Sequence, residues 1–383
     1  MIANRKVTIV GAGLAGCTLA RILADNGINV TVLESRDHVA GNCHDSRCPE
    51  TGVMIHRYGP HIFHTDNPDV FAFLQRFTKF SDYSHRVRTI AKGQVWSLPV
   101  NMLTLNQFWK STLTPQQARD RLETLKISSK NEAEHLEAQA LQLMGQELYE
   151  LFFKGYTQKQ WGRSATTLPA SILRRLPFRF NYDDRYFQQV RQGIPIKGYT
   201  QMASAMLDHP LITVHLNHPV NARQAWDIAN HHHLFWTGPL DSFFNYEAGR
   251  LPYRTLDFVE FTAQGDFQGC AVMNYSDEEV PWTRITEHKH FMPEEHHEQT
   301  VCWLEYSREA QPEDVPYYPI RQTRADPILN HYLRLAQEMV NVTFTGRLAT
   351  YRYQDMDAVI HDAMCIAQQY IAGECPVFPE STV

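Results

Sequence analysis

Val7-Thr8-Ile9-Val10-Gly11-Ala12-Gly13-Leu14-Ala15-Gly16 is the stretch whose order of residue types decides the fold. Four uncharged, β-rich residues predict a buried parallel strand. The GxGxxG that follows predicts a tight turn at Gly11 and a close backbone approach to a pyrophosphate at Gly13. It also predicts close packing of strand and helix at Gly16. The helix N-terminus around Leu14 offers free N–H groups to that anion. A helical stretch from Cys17 to Asn26 ends at Gly27, and Val30-Thr31-Val32-Leu33 forms a second strand closing on Glu34. A carboxylate there accepts hydrogen bonds from ribose hydroxyls. Lys6 to Asn42 therefore form a dinucleotide-binding unit.

The residues after Glu34 separate FAD from NAD. Ser35 is followed by Arg36-Asp37-His38-Val39-Ala40-Gly41-Asn42, which resembles the second signature of glutathione-reductase-like flavoproteins, with Ala40 where the first of two glycines usually stands. At the far end, Thr343-Phe344-Thr345-Gly346-Arg347 predicts a strand and a turn. Asp355 to Tyr370 predicts a helix with Val359, Ala363, Ile366 and Tyr370 on one face. A late strand, glycine and helix is where that class closes its sheet on the flavin. No second GxGxxG occurs, so a built-in NAD(P)H site is not expected.

The 383-residue chain is long enough for two or three cores. Its net charge of −6, from 36 basic and 42 acidic side chains, argues against a general basic surface for nucleic acid. An anionic small molecule remains compatible, because a few arginines in one cleft suffice. No stretch reaches the length of a membrane span, and Met1 to Lys6 lead into a strand without a signal region. Seven scattered cysteines read as reduced thiols of a cytoplasmic protein. No metal is expected: Cys43-His44 and Cys48 lack a second ligand pair. His231-His232-His233 and His296-His297 read as exposed loop residues.

The fold class expected is α/β: a Rossmann-like, glutathione-reductase-type FAD domain with a helical insertion and an antiparallel β-sheet insertion. The expected segments are 1–95, 201–250 and 316–383 for the FAD domain and 96–172 for the helical insertion. The sheet would start in 173–200 and continue through 251–315. Leu136, Ala140, Leu143, Leu148, Leu151 and Phe152 recur at helical spacing, and 127–131 is a polar break. From about Arg179 to Val301 the text is strand-like, as in Leu256 to Thr262 and Cys270 to Tyr275.

Four clusters combine aromatic plates with arginine forks, the groups a nucleotide-diphosphate substrate needs. They are Tyr58 to Thr65, Lys154 to Arg163, Val280 to His288, and Pro316 to Pro319 together with Arg347 and Tyr351 to Met356. With Thr237-Gly238-Pro239-Leu240-Asp241 they resemble the UDP-galactopyranose mutase family of bacterial type, in order and over nearly the whole chain. KGYTxKQWG, TRxxEHKxF and GRLxxYxxxDM carry the likeness.

The resemblance implies an FAD enzyme, an isomerase that interconverts UDP-galactopyranose and UDP-galactofuranose and feeds cell-surface galactofuranose polymers. It implies reduced FAD, with N5 as nucleophile on the anomeric carbon, an external reductant such as NAD(P)H, and a homodimer. Arg175 and Arg284 match its two diphosphate-binding arginines. Tyr186, Tyr318 and Tyr353 match its phosphate-contacting tyrosines. Phe152, Phe153, Tyr156, Thr157, Trp161 and Asn274 match the uridine and sugar surroundings. His61, beside Ile62, matches the histidine over the isoalloxazine, and Arg347 with Tyr353, Asp355 and Met356 the flavin-binding turn. His85 stands where an asparagine is expected near the sugar phosphate. Histidine at His64, where relatives that accept N-acetylated sugars carry arginine, favours plain galactose. The competing readings are a flavin oxidase or dehydrogenase of the amine-oxidase type and a non-enzymatic FAD-binding protein.

Overall fold

A computed structural model describes residues 5–127, 132–175, 178–320 and 326–374, leaving out the side chains of Ser171, Arg174 and Arg175. The first strand, β1 (Lys6–Val10), is buried from Val7 onward, as its uncharged run requires. It leads through Gly11 to helix α1 (Leu14–Asp25) and strand β2 (Asn29–Leu33). These two strands are central in a five-stranded sheet ordered Val342–Phe344, His233–Trp236, β1, β2, Ile212–His215, every pair parallel. The helix Met356–Ala372 packs on α1. It buries Val359, Ile360, Ala363 and Ala367, while Ile366 and Tyr370 are only half-buried.

Because all five strands run the same way, the loops after Val10, Leu33, Trp236 and Phe344 emerge on one edge of the sheet. That edge is where open α/β sheets bind ligands.

The second sheet has seven strands in the order Tyr318–Pro319, Tyr253–Gln264, Gln299–Glu309, Arg284–Glu287, Val272–Tyr275, Val87–Ala91, Gln94–Leu98. Its composition differs from expectation in two respects. The stretch 173–200 contributes only Arg191–Gly193, which pairs with Phe63–Thr65 outside this sheet, while Val87–Ala91 and Gln94–Leu98 join it. The pairing of Val272–Tyr275 with Val87–Ala91 is parallel, so the sheet is mixed rather than wholly antiparallel. Strand propensity marks a segment as a strand and leaves its partner open. The strand-like reading of 179–301 also gives way at Tyr199–Leu207 and Ala222–His231, which are helices. His231 ends the second of these, and half-buried His233 starts a strand rather than a loop.

Between the strands Gln94–Leu98 and Arg191–Gly193 the chain forms the helices Met102–Trp109, Pro115–Leu125 and Leu136–Tyr149, followed by a π-helical turn Glu150–Lys154 and the helix Gly155–Trp161. Leu136, Ala140, Leu148, Leu151 and Phe152 are buried, and Leu143 is half-buried. Residues 128–131 of the polar break lie outside the described residues.

Candidate active site

One cavity of about 850 Å³ runs from the loops at the edge of the parallel sheet to the face of the second sheet. At the parallel-sheet end the glycines are required by space. A Cβ on Gly16 would lie 2.0 Å from the Gly11 carbonyl oxygen, and one on Gly41 would lie 3.0 Å from Gly13 Cα. Gly13 caps α1 without a side-chain hydrogen bond, and no acid occupies the first turn of that helix. Its N-terminus is thus open to an anion. Glu34 Oε2 accepts from the Ala12 N–H at 2.7 Å, and Oε1 accepts from the Arg36 N–H at 2.9 Å and the Ser35 hydroxyl at 3.2 Å, which leaves a lone pair on Oε2 for a ligand hydroxyl. Ala40, where a glycine was expected, has φ of +74° and donates its N–H to the Ala12 carbonyl. It holds the left-handed conformation glycine would take.

Gly11, Leu14, Ser35, Asn42, Ile62, Gly238, Arg347, Asp355 and Met356 line the same cavity, whereas Gly16 acts behind it through packing. Arg36 crosses Tyr58 at 4.5 Å and donates to Asn42 Oδ1, and Arg347 donates to the Tyr317 carbonyl. The glycine cradle, the uncapped helix start and the carboxylate at the strand end together fit a dinucleotide.

His61 lines the cavity. Its main-chain N–H donates to His56 Nδ1 at 3.1 Å, and its carbonyl accepts from Tyr199 Oη at 3.0 Å. Burial, with His56, Arg347 and Arg284 nearby, pushes the imidazole down to about 3. It is therefore neutral, and with Nδ1 2.8 Å from the Gly59 carbonyl that nitrogen carries the proton. Nε2 is left as an acceptor.

At the other end Arg284 pairs with Glu305, Nη2 to Oε1 at 2.8 Å. Burial opposes the guanidinium's charge and Glu305 outweighs it, so the pKa is raised well above the ordinary value. Tyr156, Tyr186, Tyr318, Tyr353 and Asn274 open into the same space. The Asn274 Oδ1 is buried with no partner among the described residues. Burial raises the Tyr156, Tyr186 and Tyr318 phenols, which keeps them protonated as donors. His64 stacks on Phe187 with ring centroids 3.7 Å apart, and His85 approaches Phe187 and Tyr186. Burial, then Arg284 and His64, pushes His85 down to about 3.

Four expected substrate residues, Phe152, Phe153, Thr157 and Trp161, stand outside the lining. Phe152 and Phe153 are in the core, edge-on to each other, and Phe152 is also edge-on to Trp96. Thr157 is buried, and Trp161 reaches the site only through Tyr318, 6.5 Å away. The Arg175 side chain lies outside the described residues. Two residues were not anticipated, and Tyr317 stood in a named cluster without a role. Phe187 is the neighbour of Tyr186, a signal that proximity alone carries. Glu305 faces Arg284 across adjacent strands, a relation that needs the strand register to be known.

A family model described as UDP-galactopyranose mutase matches residues 151–353, and one described as an NAD(P)-binding Rossmann-like domain matches residues 9–77. The chain is 50% identical over 380 residues to a probable UDP-galactopyranose mutase of Klebsiella pneumoniae, covering 98% of each chain. It is 47% identical to the dTDP-fucopyranose mutase of Escherichia coli, over 96% of this chain and 98% of that one. The fold is similar to a crystal structure of reduced UDP-galactopyranose mutase, with a TM-score of 0.74 at 14% identity, over 97% and 96% of the two chains. A family model over more than half its length and full-length relatives at this identity place the chain in the UDP-galactopyranose mutase family, a family of isomerases.

Proposed function

We propose that this member of the family interconverts UDP-galactopyranose and UDP-galactofuranose with bound FAD. The observation that carries the reading is the single cavity that joins a dinucleotide cradle to the Arg284 guanidinium and four tyrosines. Gly13, Gly41, Glu34 and the open end of α1 would hold the pyrophosphate and ribose of FAD, and Arg347, Asp355 and Met356 its ring end. When reduced, FAD supplies there a nucleophilic nitrogen for the anomeric carbon.

The chain's own groups supply charge and position. Arg284, with Arg175 as the second arginine, stabilises negative charge as the diphosphate leaves, and the tyrosines donate to its oxygens. Asn274 Oδ1, buried without a partner among the described residues, awaits a donor from the substrate. Neutral His61 presents Nε2 as an acceptor beside the ring site without adding charge.

The kinship with dTDP-fucopyranose mutase supports a second reading, in which the same site takes a 6-deoxy sugar on a thymidine diphosphate. The test is to incubate the flavin-loaded protein, oxidised or reduced with dithionite, with UDP-galactofuranose and separately with dTDP-fucofuranose. Conversion of the UDP-sugar only in the reduced state is expected. Equal conversion in the oxidised state would sink the nucleophile account, and conversion of the dTDP-sugar alone would replace the substrate.

A further inference from the structure

Lys159 lies on the helix Gly155–Trp161 and is half-buried. Its ammonium meets four main-chain carbonyls of a single loop: Tyr275 at 2.7 Å, Asp277 at 2.7 Å, Val280 at 2.9 Å and Trp282 at 3.1 Å. An ammonium has three donors, so this nest holds more acceptors than the side chain can serve at once. The loop joins the strands Val272–Tyr275 and Arg284–Glu287, which carry Asn274 and Arg284.

Two other contacts press this helix and the π-helical turn before it against the same loop. A Cβ on Gly155 would lie 2.3 Å from the Ser276 carbonyl oxygen, so only glycine permits this approach. Ser276 Oγ donates to the Phe152 carbonyl at 3.2 Å. Tyr156 follows Gly155 directly and opens into the cavity. One helix thus delivers Tyr156 to the front of the site and a cation to the back of the loop that delivers Asn274 and Arg284.

Electrostatics favours a cation here. The loop carries Asp277, Glu278 and Glu279, whose charges pull Lys159 upward while burial pulls it down to about 8. Four carbonyl dipoles converging on one point act in the same sense as those carboxylates.

We infer that Lys159 is a positioning residue: an internal cation around which residues 275–282 fold, and which holds Asn274 and Arg284 in register with Tyr156. The inference rests on the reading above that this end of the cavity takes a nucleotide diphosphate. Without the ammonium, four converging carbonyls repel one another and lack donors, and the loop opens. With the side chain trimmed back, the vacated nest suits a small monovalent cation, because its carbonyls already surround one positive charge.

The test uses the flavin-loaded protein in choline buffer, with UDP titrated by calorimetry and hydrogen exchange followed over residues 272–287. Lys159→Met keeps the stem and removes the charge. It is expected to speed exchange in that segment and to weaken UDP binding on the order of tenfold, as for buried carbonyls deprived of donors. Lys159→Ala is expected to do the same, and added ammonium or potassium should restore it. Neither ion should restore Lys159→Met, whose methyl group fills the nest. Unchanged exchange and UDP affinity in Lys159→Met would overturn the inference, as would salt acting alike on both variants. Wild-type protein that bound no UDP would count against the functional reading instead, and the exchange measurement would still decide the role of Lys159. Should Lys159→Ala not fold, Lys159→Met alone decides.

Discussion

Arg284 and Glu305 stand directly opposite each other on adjacent strands and form an ion pair of 2.8 Å, with the carboxylate 1% exposed. The arginine that opens toward the substrate end of the cavity is therefore half of a buried pair, and its removal does two things at once. It takes away the proposed anion-binding group, and it leaves a buried carboxylate whose Oε2 has no partner among the described residues and whose Oε1 keeps the Thr283 hydroxyl. Arg284→Ala is expected to abolish turnover and to lower stability by about 3–5 kcal/mol, the usual result of leaving one buried charge alone. Arg284→Ala/Glu305→Gln is expected to regain much of the stability and none of the turnover. Denaturant unfolding and UDP-sugar turnover on the same samples check this. Unchanged stability in the single variant would show that the Thr283 hydroxyl, which donates to Oε1 at 3.3 Å, suffices for the carboxylate.

Gly16 touches no ligand-facing surface, yet its Cβ position lies 2.0 Å from the Gly11 carbonyl oxygen. Gly16→Ala forces α1 away from the turn at a cost of about 1–3 kcal/mol. The variant is expected to purify with little or no bound flavin, as read from its visible absorbance. Ala40→Gly is the control: the left-handed backbone already suits glycine, so a change below about 1 kcal/mol is expected.

Burial pushes the imidazoles of His56 and His85 down to about 3, and that of His288, beside His56 and Arg57, well below its ordinary 6.5. Between those values the unfolded chain binds protons that the folded chain refuses. Stability is thus full above the unfolded value near 6.5 and falls as pH drops toward 3. The slope is about 1.4 kcal/mol per pH unit for each histidine. Urea midpoints measured from pH 7 to pH 4 should fall steeply, and His85→Asn should flatten the curve by about one proton. A profile without slope in that range would remove these histidines from the buried set.

Asn274 offers a buried Oδ1 with no partner among the described residues, so its loss should cost the ligand more than the fold. Asn274→Ala is expected to weaken UDP-sugar binding by about 1 kcal/mol while leaving the unfolding midpoint near that of the wild type. A large drop in stability with unaltered affinity would make Asn274 a structural residue.

The parallel sheet was legible because its constraints are local. Gly11, Gly13, Gly16 and Glu34 fall within one strand–turn–helix–strand unit, and each residue type answers a contact inside it. The second sheet was legible only in part, since nothing in Val87–Ala91 states that its partner is Val272–Tyr275. The same division runs through the site. Arg284 and the tyrosines at 156, 318 and 353 announce themselves by chemistry and Tyr186 by the family resemblance, and they meet in one cavity although they come from distant segments. Phe152 carries the same aromatic signal and packs instead against Trp96, because an aromatic ring serves a core as readily as a ligand. Lys159 stood within a named cluster without a role, since its four acceptors are backbone atoms, which any sequence can supply.

The turn at Gly11 lies against Thr237, and Gly346 lies against Ala15, so the turn made first is walled by residues that come late in the chain. During synthesis, on the order of tens of seconds separate Gly11 from Gly346. For most of that interval β1 lacks the neighbour that begins at His233, and for nearly all of it the sheet lacks the outer strand that begins at Val342. A nascent chain therefore carries the dinucleotide motif without the walls that hold a dinucleotide. Truncation before Phe344 is expected to leave a chain that retains no dinucleotide, as read from the visible absorbance of the purified fragment.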